Sequence, residues 1–294
     1  MKKSLLTFFI LLFASYAHAD SAIYGKDLLI NIINQGKEGN LDLAMIFTIL
    51  QAKYFSVIFL AISFGVPIVF FIHYTIIGPM IFSHDRKKIF IFTLFHRTIH
   101  WLAGISFLVL IPTGLVMVFG SFFHGGEFVR VCKELHAVST IVFAIAVVPM
   151  LIMWFKEMLP IAADIQWIKI LGGYLNKRKD PIPAGKFNAG QKMWFWTCTA
   201  GGILMIITGA IMYFQDFSIT ILRSWGIMQI DLLRVSVILH NVMGMLMVAL
   251  FFTHVYMSVF AIKGAIHSMF TGYKEEEEVE ILHSIFYKKL KNKI

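Results

Sequence analysis

Five apolar stretches, 55–77, 99–119, 137–155, 193–214 and 236–262, constrain this chain more than any other feature, and none contains an Asp or Glu. At about 1.5 Å per residue, each is long enough as a helix to cross the roughly 30 Å hydrocarbon core of a bilayer. Only helices and closed barrels satisfy their backbone polar groups in lipid, and runs apolar on every side are helical rather than barrel-like. A mean hydropathy of +0.76, with 58% hydrophobic and 15% charged residues, leaves no composition for a water-soluble domain. The expected fold is therefore all-α, a polytopic membrane protein.

The formal charge of +9 comes from Lys and Arg scattered in short clusters between the apolar runs, which gives no basic face for nucleic acid. Two cysteines, Cys132 and Cys198, with no C-x-x-C-H, exclude a disulfide framework and covalently attached haem. Residues 1–19 read as a signal peptide: Lys2 and Lys3, an apolar run from Leu5, then Ala17-His18-Ala19 before Asp20. Residues 20–53 read as an extracytoplasmic segment with a short amphipathic helix, and 54–82 as a first membrane helix with its flank. With the mature N-terminus outside the cytoplasm, seventeen basic residues fall in segments inside and seven outside, as the positive-inside rule requires. The C-terminus is then cytoplasmic, and 273–294, with Glu275 to Glu278 and Lys288, Lys289, Lys291 and Lys293, reads as a solvated charged tail.

Ionisable side chains inside membrane helices are costly and need a function. His240 and His254 lie fourteen residues apart in the last run. On a helix they share a face to within roughly 40° and sit about 21 Å apart along the axis. His136 opens the third run from outside and so matches His240 in depth; His100 opens the second run from inside and matches His254. Histidines facing one another across a helical bundle are the usual ligands of non-covalent b-type haem. The pairs His136–His240 and His100–His254 thus predict two haems at two levels. His96, one turn before His100, could compete for the inner iron, although an interfacial or propionate-binding role suits it better. His73 has no partner at its own level and is assigned no iron. Gly104, Gly114, Gly201, Gly202, Gly209 and Gly244 lie within the runs, where a missing side chain lets a helix or a porphyrin edge come close.

Between the third and fourth runs, Phe187-Asn188-Ala189-Gly190-Gln191-Lys192-Met193-Trp194 brings polar amides next to aromatics. Asn188 and Gln191 could donate to a quinone carbonyl and Gly190 could leave room for its ring. An N-cap at Asn188 followed by an aromatic belt accounts for the same residues.

These residues carry a resemblance. The 187–193 motif, Arg97-Thr-Ile-His100-Trp101, Glu134-Leu-His136, Leu239-His240, His254-Val-Tyr-Met257 and Lys263-Gly264 resemble, in order, the cytochrome b (gamma) subunit of membrane-bound formate dehydrogenase, of the cytochrome b556 type. The resemblance implies a dihaem four-helix domain over 95–272, with ligands His136 with His240 and His100 with His254. It also implies a menaquinone site at Asn188, Gly190 and Gln191 near the cytoplasmic face. The partners it implies are an iron–sulfur (beta) subunit and a molybdenum- or tungsten-containing catalytic (alpha) subunit on the periplasmic side of a bacterial inner membrane. Formate oxidation itself would occur in a partner. The first membrane helix has no counterpart in that family, and His96 stands where the family carries an acid. Two other functions fit less well. One is the cytochrome b of a nickel–iron hydrogenase or another periplasmic dehydrogenase. The other is a haem-free transporter or proton relay, which the lack of carboxylates in the runs disfavours.

Overall fold

The computed structural model describes residues 43–176, 179–214, 224 and 229–292. The expected signal peptide and most of the segment 20–53 lie outside the described residues. Among the described residues, five helices are long and apolar enough to cross a membrane: α1 (Leu43–Ile76), α2 (Leu94–Val118), α3 (Gly126–Trp154), α5 (Ala189–Tyr213) and α6 (Gln229–Ala261). The shorter helices are α4 (Ala162–Ile170), α7 (His267–Thr271), α8 (Glu276–Leu282) and α9 (Ser284–Lys291). A two-stranded antiparallel ribbon pairs β1 (Lys88–Phe90) with β2 (Tyr273–Glu275), Ile89 opposite Lys274.

All five long helices extend beyond the apolar runs. α1 starts at Leu43 and passes through a π-turn at Leu50–Tyr54, so the described end of the segment before residue 54 is helical and continuous with the first span. α3 starts at Gly126 and α6 at Gln229. Their added turns carry Glu127–Arg130 and Asp231–Arg234 ion pairs at i,i+3, a spacing that supports helix where the sequence is no longer apolar. His136 and His240 therefore sit well inside their helices rather than at the ends. Pro67, Pro112 and Pro149 lie within α1, α2 and α3, as membrane helices tolerate.

The chain divides into two compact units. The first holds, of the described residues, 43–59, 109–138 and those within 208–241. The second holds 60–108, 139–207 and 242–292. In the second unit Phe107 packs edge-on to Phe143 at 5.2 Å between ring centroids and parallel to Phe251 at 5.7 Å. A Cβ on Gly202 would stand 2.8 Å from two ring atoms of Phe143, and one on Gly201 would stand 2.8 Å from the Met243 sulfur. These two glycines are there for close helix packing. Large apolar side chains such as Phe71, Ile105, Ile145 and Ile152 point outward, as lipid-facing surfaces do.

The charged tail differs from its expected form. Residues 273–291 are folded into the second unit instead of being solvated. Ile281 and Leu282 join a core with Met80, Phe82, Trp167, Ile182 and Ala184. The Ile182 N–H donates to the Ile281 carbonyl at 2.7 Å, and Ser284 Oγ donates to the Ile182 carbonyl at 2.8 Å. The glutamates pair with segments far away in sequence: Glu275 with His84 and Lys88, Glu277 with Lys179 and the Ser83 N–H, and Glu280 with Arg86. Those pairings and the apolar side of α8 make the tail a cap on the unit. Gly272, at φ +89, makes the turn into β2, and its carbonyl accepts from Ile91 and Phe92.

Candidate functional site

The structure brings the four sequence-predicted histidines together in two pairs, one in each unit. In the first unit, His136 on α3 faces His240 on α6 with ring centroids 6.4 Å apart and planes at 55°. In the second, His100 on α2 faces His254 on α6 at 6.1 Å and 54°. A metal–imidazole bond is about 2 Å long, so two rings ligating one ion from opposite sides have centroids about 6 Å apart. Both pairs have that separation.

The surroundings of the rings fit a flat iron porphyrin. Gly114 and Gly209 turn their α-carbons toward the first pair: added Cβ atoms would lie 3.3 Å from His136 Cε1 and 3.5 Å from His240 Cε1. The hydroxyls of Thr113 and Thr208 each lie 3.0 Å from a ring Nδ1, of His136 and His240 respectively. In the second pair, Trp194 stacks on His254 at 5.5 Å and 21°, while Trp101 meets His100 edge-on at 5.6 Å. His100 Nδ1 is buried with no hydrogen-bond partner among the described residues.

His96 takes a different direction from His100. Its ring packs on Trp154 and Phe92, and its Nδ1 accepts from the Thr93 N–H at 3.3 Å, closing the start of its own helix. His73, assigned no partner from sequence, hydrogen-bonds through Nδ1 to the Tyr256 hydroxyl at 2.6 Å and through Nε2 to the Tyr174 carbonyl at 3.1 Å.

The inner-loop residues are held by local bonds. Asn188 caps α5: its Oδ1 accepts from the Gln191 N–H and Gln191 Oε1 accepts from the Asn188 N–H, both at 2.9 Å. Burial, with Glu278 nearby, raises the Tyr174 phenol above its ordinary range, so it stays protonated. Gly190 faces Trp167, whose ring would stand 2.9 Å from an added Cβ. The room at Gly190 is thus filled by an indole, and the oxygens of the two amides serve the cap.

Sequence reasoning missed the ion pair beneath this loop. Lys192 Nζ lies 2.8 and 3.1 Å from the two oxygens of Asp164, and both residues are buried. Asp164 Oδ2 also accepts from the Ile161 N–H at 2.8 Å, fixing the start of α4. The available signal was an acid in the first turn after Pro160, a capping position, but its partner lies in another element.

Known proteins similar to this chain are cytochrome subunits. The formate dehydrogenase cytochrome b556 subunit of Haemophilus influenzae is 27% identical over 181 residues, covering 60% of this chain and 73% of that protein. The cytochrome b556 subunit of the nitrate-inducible formate dehydrogenase of Escherichia coli K12 is 26% identical over 221 residues, covering 70% and 94%. A second formate dehydrogenase cytochrome b556 subunit of that organism is 23% identical over 215 residues, covering 70% and 95%. The resemblance read from the sequence is thereby borne out. A family model described as prokaryotic cytochrome b561 matches residues 91–272, the segment that holds both histidine pairs and leaves α1 outside. This helical membrane protein belongs to the prokaryotic cytochrome b561 family.

Proposed function

We propose that the chain is the dihaem cytochrome b subunit of a formate dehydrogenase complex, carrying electrons across the membrane to menaquinone. Membership of a cytochrome b family implies haem b. Two groups, one in each histidine pair, are the finer reading, and the observation that carries it is the near-equal spacing of the rings, 6.4 and 6.1 Å. His136 and His240 would hold one group, and His100 and His254 the other. When bound, haem b supplies reversible one-electron transfer, and two imidazoles per iron leave no open position for oxygen.

The chain's own residues then have separable tasks. α6 carries a histidine of each pair, His240 and His254. Trp194 holds the plane of His254. The Asn188–Gln191 cap and the Lys192–Asp164 pair fix the start of α5, where the amide nitrogens of Asn188 and Gln191, whose oxygens serve the cap, would border the quinone head, with protons drawn from cytoplasmic water. The basic residues orient the His100–His254 side toward the cytoplasm, so the His136–His240 side would receive electrons from a periplasmic iron–sulfur subunit. A molybdenum- or tungsten-containing subunit would oxidise formate. The names of the relatives favour formate as the ultimate donor over hydrogen.

The test is a reduced-minus-oxidised spectrum and haem assay of the purified complex beside His240→Ala and His254→Ala. Each variant should lose one haem of two. A colourless complex, or full haem in both variants, would refute the reading. The subunit that co-purifies decides between formate and hydrogen.

A further inference from the structure

We propose that Thr113 and Thr208 are positioning residues of the His136–His240 pair. Each hydroxyl accepts the Nδ1 proton of the imidazole it faces, leaving Nε2 for iron and making this site more reducing than the His100–His254 site. The inference rests on the histidine ligation proposed above.

A threonine hydroxyl carries a single proton to donate. Thr113 Oγ1 lies 2.6 Å from the Val109 carbonyl oxygen, and a carbonyl can only accept. The hydroxyl proton is therefore committed to its own helix, in the i−4 bond common for threonine. The 3.0 Å contact with His136 Nδ1 then requires the ring to donate. A neutral imidazole protonated on Nδ1 carries its lone pair on Nε2. Thr208 Oγ1 meets His240 Nδ1 at the same 3.0 Å. Both threonines are buried, so water competes little for the bond.

The arrangement occurs twice. Thr113 is followed by Gly114 and Thr208 by Gly209, and each glycine lies against the imidazole that its threonine contacts. A Thr-Gly step on α2 therefore seats the ring from α3, and a Thr-Gly step on α5 seats the ring from α6. The threonine fixes the rotation of the ring, and the glycine lets it lie close. The other site has no such anchor on His100, whose Nδ1 is buried without a hydrogen-bond partner among the described residues.

This difference has a redox consequence. An acceptor on the outer N–H of a ligating histidine raises the basicity of the ligand, which favours the oxidised iron and lowers the potential. With both rings anchored in one pair, the electron runs downhill toward the His100–His254 side, the direction that the proposed function requires.

The experiment is a potentiometric titration of the intact complex, followed by haem absorbance and low-temperature spin resonance, for Thr113→Val, Thr208→Val, Thr113→Ser and Thr208→Ser. Each valine variant should raise the midpoint of one haem and leave the other unmoved. The expected size is three- to tenfold in the reduced-to-oxidised ratio at fixed potential, where tenfold is about 59 mV for one electron. The serine variants, which keep the hydroxyl, should stay near wild type. Unmoved midpoints with full haem, or equal shifts in both haems, would overturn the proposal, as would serine shifts as large as those with valine. If a valine variant loses a haem, retention in its serine counterpart supports the anchoring role and loss in both refutes it. Full haem in His136→Ala would instead refute the ligation itself.

Discussion

Replacing Lys192 by Met should destabilise the second unit far more than the loss of one hydrogen bond. Lys192 is 5% exposed, and its ammonium contacts both oxygens of Asp164, itself 8% exposed. Removing one member of a buried ion pair costs about 3–5 kcal/mol, because the remaining charge is left uncompensated. In Lys192→Met the carboxylate keeps the Ile161 N–H as a donor, which places the loss near the lower end, about 3 kcal/mol. At about 2–4 °C per kcal/mol for 150–250 residues, melting should fall by roughly 6–12 °C. The double variant Lys192→Met/Asp164→Asn buries no charge and retains an acceptor for the Ile161 N–H, so it should return to within about 1 kcal/mol of wild type. Heat unfolding in detergent, followed by tryptophan fluorescence, reads the effect directly, since Trp167 lies on the same helix as Asp164. A single variant that melts within two degrees or so of wild type (~2 °C) would show that the pair does not tie α4 to α5. A double variant as unstable as the single would show that packing rather than charge sets the cost.

Three further outcomes follow from the same structure. Gly202→Val places carbon against Phe143, where even a Cβ lies at 2.8 Å, and should cost about 1–3 kcal/mol as overpacking, seen as a lowered melting temperature with fully inserted protein. Gly272→Ala meets the Phe92 carbonyl at 2.4 Å from a residue at φ +89; amide hydrogen exchange in β1 and β2 should rise at least tenfold, reflecting a loss of about 1.4 kcal/mol or more. His283 is buried in the cap with Nδ1 on the Gly185 carbonyl at 2.9 Å, and burial, reinforced by Lys274, pushes its pKa down to about 3. Its folded value lies below the unfolded one near 6.5, so between them the unfolded chain binds the extra proton. The stability is complete above about pH 6.5 and drains as pH falls toward 3, by up to about 1.4 kcal/mol per unit. Hydrogen exchange of the 273–291 amides from pH 7 to 4, corrected for intrinsic rates, should show that loss, and His283→Asn should flatten it.

The spans were legible because a run that is apolar on every side has few soluble solutions, whatever its neighbours do. Their ends were not, because the added turns of α3 and α6 are polar and are held by Glu127–Arg130 and Asp231–Arg234 pairs rather than by hydrophobic pattern. The four histidines were legible for the same reason as the spans: an ionisable ring in a charge-free helix is conspicuous, and helix rise and chain direction give its depth. The folded tail was hidden by its composition. Four consecutive glutamates resemble a solvated run, and their partners His84, Lys88 and Lys179, like Arg86 beside Glu280, are brought up only by tertiary structure. Asn188 and Gln191 show the converse difficulty, since an amide pair at cap spacing looks the same whether it closes a helix or meets a ligand, and here the cap takes both side-chain oxygens.

The first helix lies outside the part of the chain that matches the family, and it too carries a histidine, His73. The Tyr174 carbonyl facing His73 Nε2 can only accept, so that nitrogen carries the ring proton and Nδ1 must accept from the Tyr256 hydroxyl. Phe70, one turn earlier, stacks on Tyr256 at 4.3 Å and 11°. The added helix is thus fastened to α6 two residues past His254 by one polar bond and one aromatic contact, and to the loop after α4 by the same imidazole. An apolar face would hold α1 only loosely in lipid, where hydrophobic burial between helices drives little association. Polar side chains supply the missing specificity, and a histidine without a counterpart at its own depth is what such a clasp looks like in sequence. His73 and the four paired histidines therefore obey one rule: each of these imidazoles faces a partner on another element, a phenol and a carbonyl for the clasp and a second imidazole for each proposed iron site.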